Sequence, residues 1–426
     1  MQIINNLKVK EQLYVEKLKN GLTVMIIPKK NTNKKYAIIG TEFGSIDNNF
    51  LVPGENKEVN IPDGVAHFLE HKLFEQENGK NSLDVLSALG VEANAYTTNN
   101  HTAYLFECVE NFNEAFDELM DYVQNPYFTD ENIEKEKGII NQEISMYDDD
   151  PQTQVYMNSL KCLYHNNPVK IDIAGTIESV SEINKDILYN CYNTFYNPSN
   201  MSLVLCGDFN PENIIEEIKN RLVDKEAQGE IKRIYPEEKK EIKKEKIETE
   251  MEVSNPLFVI GIKDEVSSNK EIVKKHIAIE ILLHIIFGKS SQLYKELYEN
   301  GDLIINPDLD YEFAKNYAHI MITGQSKDPE KVYDRFKEEI EKYKKEGIDK
   351  KHFERISKMI YGYYIISYNN VGMISRMFLS DYFKGINSFE YIEQFDLVTL
   401  EYIEEILKEV FVEDKMIISI VKNKKD

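Results

Sequence analysis

Cysteine is scarce in this chain. Four occur in 426 residues, Cys108, Cys162, Cys191 and Cys206, with no C-x-x-C pair and no tight spacing. They read as reduced thiols of the core, since Cys108 and Cys206 sit in apolar runs. Long apolar stretches are missing too. None reaches about eighteen residues, so no helix is expected to span a membrane. The opening segment, MQIINNLKVKEQLYVEKLKNG, lacks the apolar centre of a signal peptide, and the expected compartment is the cytoplasm. Positive charge is in deficit: 51 Lys and Arg face 74 Asp and Glu, a net charge of −23. That balance argues against a nucleic-acid surface. It favours cationic or neutral peptides over acidic ones. Histidine is also rare, at eight residues, and two of the eight carry the most informative pattern in the chain.

His67-Phe68-Leu69-Glu70-His71 reads H-x-x-E-H. On a helix, residues four apart lie on one face, so His67 and His71 can hold one metal ion together. Glu70 lies beside that face and can reach the metal's surroundings without ligating. Two neutral imidazoles on Zn²⁺ with a base near its water is what a metallohydrolase needs. The order is that of the inverzincin motif. Asp63-Gly64 supplies an N-cap signal. Val65, Phe68, Leu69 and Leu73 make the opposite side of the helix apolar.

A zinc site of this kind needs a third protein ligand, and the segment Thr129 to Tyr147 offers two. Thr129 suits an N-cap, and Asp130 and Glu131 suit a positive first turn. Ile133, Ile139, Ile140, Ile144 and Met146 recur at helical spacing. At about 100° per residue, Glu136 and Glu143 nearly coincide and fall within that apolar stripe. Two carboxylates there are costly unless something cationic meets them. Either could ligate.

These residues resemble the pitrilysin family of zinc peptidases, which includes insulysin and the mitochondrial processing peptidase. The resemblance is nearest to its short bacterial branch, and it extends through GVAHFLEHKLFE, SALGVEANAYTTNNHTAYLF, EKEKGIINQEISMYDDDP, DIAGT and FYNPSNMSLVLCGDF. It implies that His67, His71 and Glu143 hold zinc, that Glu136 is an outer carboxylate supporting a ligand, and that Glu70 is the general base. It also implies that Glu92 to Thr97 is an edge strand pairing with an extended peptide, with Asn94 and Ala95 contacting substrate. On residues alone, an ordinary sheet edge reads equally well. Phe74, one turn past His71, suits a side-chain pocket or the core.

The chain is long enough for two domains of about two hundred residues each. Strand signals flank the Asn20-Gly21 turn, at Tyr14–Leu18 and Thr23–Ile27. They continue at Tyr36–Phe43, Glu92–Tyr96, Ala103–Glu107 and Met201–Cys206. Helices are expected at Ser82–Ala88, Phe112–Gln124, Thr129–Tyr147, Ser181–Thr194 and Pro211–Leu222. Residues 224–245 are charged and poor in large apolar side chains, as in a linker. Strands resume at Glu250–Val253 and Leu257–Ile262. The second half echoes the first: INKDILYNCYNTFYNPSNMSLVLCGDF and TLEYIEEILKEVFVEDKMIISIVKNK each run helix, Phe, polar turn, strand. A repeat of this length means duplicated domains. The expected fold is α+β, with two homologous domains that are each an antiparallel sheet covered by helices. Residues 1–223 would be the zinc-binding domain and residues 246–426 its non-catalytic counterpart. The second half has no H-x-x-E-H. Its His276 and His284 are read as helix or core residues.

The function expected is zinc-dependent endopeptidase activity on peptides or unfolded segments. The alternatives are a non-catalytic binding or assembly subunit, and a metallohydrolase of non-peptide substrates. One departure bears on partners. The family's second half carries an Arg and, seven residues on, a Tyr that hold substrate over the metal. Here Tyr298 and Ile305 stand at those places, and neither supplies a cationic donor. The expectation is a heterodimer with a related chain that lacks the zinc motif, with a homodimer as the alternative.

Overall fold

The computed structural model describes residues 1–55 and 57–424. Asn56 and the last two residues of the expected second domain lie outside the described residues. Near the N-terminus the turn chemistry acts as read. Gly21, at φ 92°, closes a hairpin between Glu11–Lys17 and Thr23–Pro28, a conformation open to glycine because it has no Cβ.

The first sheet has seven strands in the order Gln2–Asn6, Glu11–Lys17, Thr23–Pro28, Met201–Gly207, Lys35–Thr41, Thr102–Cys108, Glu92–Thr97. Thr23–Pro28 and Lys35–Thr41 run in opposite directions but do not touch. Met201–Gly207 is inserted between them, so it must run parallel to one and antiparallel to the other. It is buried at every position, which explains its unbroken apolar sequence. Glu92–Thr97 ends the sheet and pairs on one side only, with Thr102–Cys108.

The second sheet repeats this plan. Its order is Lys246–Met251, Met416–Asn423, Leu257–Asp264, Ala318–Gln325, Asp308–Phe313, with one parallel pair at the inserted strand. That order and those senses match the last five strands of the first sheet, so the duplication read from the two echoing segments is present in the topology. The expected all-antiparallel sheets need correction by one parallel pair each, a consequence of the inserted strand.

The chain divides into two compact units that exchange segments. One comprises Met1–Ile144, Asp172–Tyr235 and Ile365–Ser388, and the other Ser145–Ile171, Pro236–Tyr364 and Phe389 onward. The boundaries expected at 223 and 246 follow the chain, whereas the units do not. The helix Val371–Lys384, late in the sequence, packs on Met201–Gly207 and Lys35–Thr41 of the first sheet. The helix Pro151–Leu163, early in the sequence, packs on Leu257–Asp264 and Met416–Asn423 of the second. Glycine marks both approaches. A Cβ on Gly40 would lie 2.9 Å from Leu379, and one on Gly261 would lie 2.9 Å from Ile417 and 3.3 Å from Leu163. Neither helix was foreseen as a sheet cover, because a swap leaves no trace in local periodicity.

The charged stretch at 224–245 is tied down within each unit. Lys232–Arg233 pairs with Phe50 and Leu51, and Arg233 Nε lies 3.1 Å from the buried carboxylate of Asp47. Further on, Glu238 accepts the backbone N–H groups of His165, Asn166 and Asn167 at 2.8, 2.6 and 2.7 Å, and the Lys263 ammonium at 2.7 Å. Among the described residues no helix is long and apolar enough to cross a membrane.

Burial opposes charge on Glu238, but Lys263 and the three N–H donors hold its carboxyl down at about 2. Its ordinary value lies higher, so its stabilisation is complete above that value and is lost as the pH falls through about 2. Glu238→Gln is therefore expected to lower stability at pH 7 by about 1–3 kcal/mol. The gap from wild type should shrink below pH 4.5, as followed by denaturant titration across pH. A gap unchanged down to the acid limit would count against the carboxylate's role.

Candidate metal centre and its cleft

The motif helix spans Val65–Lys72 and buries Val65, Ala66, Phe68 and Leu69. Asp63 does not cap it. Its carboxylate takes a hydrogen bond from Asn48, and Gly64 occupies the N-cap in the left-handed region with no side-chain cap. The cause is a close approach of backbones. A Cβ on Gly64 would sit 2.4 Å from the Ala174 carbonyl oxygen, and one on Gly175 would sit 2.6 Å from that of Asp63. Ser179 Oγ then donates to the Asp63 carbonyl at 2.9 Å. The DIAGT segment thus clamps the start of the motif helix and sets where its histidines point.

The second helix spans Asp130–Asp148. Thr129 caps it as expected: Asn132 N donates to Thr129 Oγ1 at 3.1 Å, and Thr129 N donates to Asn132 Oδ1 at 2.9 Å. Ile133, Ile140 and Ile144 are buried, but Ile139 is 45% exposed and Met146 59%. The apolar stripe is therefore narrower than the spacing suggested. Glu136 and Glu143 lie along its edge, partly exposed, and Glu136 lines a cleft.

The structure brings the predicted residues together. Glu143 Oε2 lies 3.7 Å from His67 Nε2 and 3.6 Å from His71 Nε2, and the three donor atoms all fall within 4.8 Å of one another. Ligands at about 2.0–2.1 Å from a tetrahedral zinc lie about 3.3–3.4 Å apart, so the donor set fits such an ion. Among the described residues no other cluster of this kind occurs. Glu136 is engaged differently: its Oε1 meets His71 Nδ1 at 3.1 Å and its Oε2 takes the Lys72 ammonium at 3.4 Å. Glu70 Oε2 accepts a 2.6 Å hydrogen bond from Thr97 Oγ1.

Each environment tunes its group. Burial, with His71 alongside, pushes His67 down to about 3, so its imidazole is neutral and its lone pair is available to a metal. Burial works the same way on His71, yet the hydrogen bond and charge of Glu136, with Glu70 and Glu143, raise it above the ordinary range. Burial raises Glu70, against the Thr97 hydrogen bond. Burial alone would raise Glu136, but His71 and Lys72 more than offset it and hold it low.

A cleft of about 490 Å³ opens beside these groups, lined by Glu70, His71, Phe74, Asn94, Ala95 and Ile139 among others. Asn94 and Ala95 lie on the terminal strand, where the Ala95 N–H is taken by the Asn94 side chain at 2.9 Å. Phe74 lines the cleft, and its ring packs on Tyr104 and Tyr122 at 5.9 and 5.1 Å. Tyr298 and Ile305 are 55% and 43% exposed in the other unit. His276 is a helix residue bonded to the Tyr391 hydroxyl at 2.9 Å. Two groups escaped the sequence reading. Thr97 offered no signal. Lys72 did, since it continues the Val65, Phe68, Leu69 spacing and so falls on the buried face.

Gly64→Ala places a Cβ in a left-handed conformation and against a carbonyl oxygen. The backbone term alone costs about 1–3 kcal/mol. Lower melting temperature and weaker zinc uptake are expected together. Wild-type values for both would show that the clamp is dispensable.

Comparison with known proteins agrees over nearly the whole chain. Residues 54–177 match the family described as Insulinase (Peptidase family M16), and residues 182–360 match its Peptidase M16 inactive domain. The uncharacterized zinc protease YmfH of Bacillus subtilis is 38% identical over 413 residues, covering 96% of each chain. A second uncharacterized zinc protease of that organism, YmxG, is 24% identical over 402 residues, covering 92% of this chain and 94% of its own. A crystal structure from Alicyclobacillus acidocaldarius, described as M16-like, superposes with a TM-score of 0.93 at 33% identity, covering 97% of this chain and 99% of that one. The chain belongs to peptidase family M16, the insulinase family.

Proposed function

We propose that this protein is a zinc-dependent endopeptidase acting on peptides or unfolded segments. The observation that carries the reading is the convergence of His67, His71 and Glu143 on one point, with Glu70 beside them at the mouth of a cleft that ends on a sheet edge. The zinc-protease names of its relatives support the choice of metal.

His67 and His71 would hold the ion through Nε2 and Glu143 through Oε2. Zinc bound there would supply a Lewis acid that makes water acidic near neutral pH. Glu70 takes the proton of the attacking water and returns it to the departing amine. Burial brings its pKa closer to working pH, as a general base requires, and Thr97 holds the carboxylate in place. Glu136 fixes the ring of His71 by accepting at Nδ1. The substrate lies extended along Glu92–Thr97, adding a strand to the free edge, with Asn94 and Ala95 against its backbone. Phe74 receives a side chain next to the scissile bond. The buried free cysteines suit a reducing cytoplasm.

Glu70→Gln is expected to keep zinc at one ion per chain and to lose hydrolysis by about 10²–10⁴-fold or more, measured by metal analysis and a mixed peptide library with and without chelator. Loss of zinc in that variant would make Glu70 a ligand instead. Glu143→Gln should weaken zinc more than Glu136→Gln does, and the reverse order would exchange their roles.

The partner we propose is a related chain without the zinc motif. Tyr298 and Ile305 present no guanidinium to hold a peptide carbonyl, so a second subunit would supply it. Adding such a subunit should raise peptidase activity well above that of the purified chain alone. Full activity from the lone chain, unchanged by any partner, refutes the heterodimer.

A further inference from the structure

Two glutamates seven residues apart face the same pair of histidines, and something must decide which one ligates. Their helix does not. Both lie along one edge of it, both are carboxylates, and both come within 4 Å of His71. The asymmetry comes from the opposing helix. Lys72 follows His71 directly, and its side chain is 1% exposed. Its ammonium meets Glu136 Oε2 at 3.4 Å and pairs with Glu75. A buried ammonium must keep its partners, because leaving it unpaired is strongly destabilising. Glu136 therefore has one oxygen committed to Lys72 and the other to His71 Nδ1. No oxygen is left to turn towards the Nε2 side of the rings. Glu143 has no lysine on it among the described residues, and its Oε2 faces both Nε2 atoms.

We propose that Lys72 is a positioning residue that assigns the two glutamates their roles. It holds Glu136 outside the metal's shell as the acceptor for His71 and leaves Glu143 to ligate. This rests on the zinc reading above. Without Lys72, the Glu136 carboxylate is free to rotate, His71 loses a fixed acceptor, and Glu136 becomes a competitor for the metal.

The test is a double-mutant cycle on zinc affinity, measured on the full chain by competition with a chromogenic chelator, with melting temperature as the check on folding. The variants are Lys72→Met, Glu143→Gln, the double variant, and Lys72→Arg. Lys72→Met is expected to weaken zinc by about 10–100-fold in the wild-type background, as loss of an outer support does. In the Glu143→Gln background the same change should strengthen zinc, because the released Glu136 moves in as a ligand. Lys72→Arg, which keeps the charge, should stay near wild type. A purely structural lysine would harm both backgrounds alike, and that result overturns the proposal, as does no effect in either. Should Lys72→Met not fold, Lys72→Gln in the same two backgrounds carries the comparison with the same readings. Absence of zinc from the wild type would overturn the zinc function and this proposal together. Zinc bound by wild type with no sign change in the cycle overturns this proposal alone.

Discussion

The candidate centre depends on how the motif helix begins. Its two imidazoles point where they do because Gly64 and Gly175 bring two backbones closer than any Cβ would permit. A helix of eight residues has little stability of its own. It is held by burial of Val65, Ala66, Phe68 and Leu69 and by this clamp at its start. A rotation of a few tens of degrees at Gly64 would swing His67 and His71 away from Glu143. The glycines are thus a condition for convergence of the donors, although neither touches them.

Around that point the electrostatics are closed by pairing. The groups beside the donors are half-buried or buried carboxylates and cations, and each has a partner: Glu70 with Thr97, Glu136 with His71 and Lys72, Lys72 with Glu75. Burial pushes both histidines the same way, and their neighbours separate them. His67, with its Nδ1 buried and without a hydrogen-bond partner among the described residues, is pushed to neutrality, while His71 is drawn towards its proton by Glu136. Two residues of one motif acquire opposite acid–base behaviour from the neighbours that each meets.

The duplicated topology explains why one plan serves two different units. In both sheets a strand arriving late in its half is inserted between two strands already laid down. The helix covering each inserted strand comes from the other half of the chain. Yet among the described residues only one copy carries the donors. The corresponding long helix of the second unit, Asn269–Phe287, carries His276, and that ring is used up in contacts with Tyr311, Phe313 and Tyr391.

Much of this could be read from the chain itself. The hairpin at Asn20-Gly21, the helix cap at Thr129, and the helices Ser82–Ala88 and Phe112–Gln124 follow from local turn chemistry and apolar period. The pairing of His67 with His71 follows from helical geometry, and the repeat is written in two echoing segments. Other features depend on contacts between residues far apart in sequence. The break at Asn184 between Ile177–Ser181 and Lys185–Phe195, the exposure of Ile139 and Met146, the exchange of Pro151–Leu163 and Val371–Lys384 between units, and the engagement of Thr97 with Glu70 were not legible. The reason is physical. Period and turn residues report on a segment's own hydrogen bonds and on which face it buries. Glu136 and Glu143, equal by spacing, differ in their surroundings because a lysine on another helix meets Glu136, and only folding brings that charge within reach.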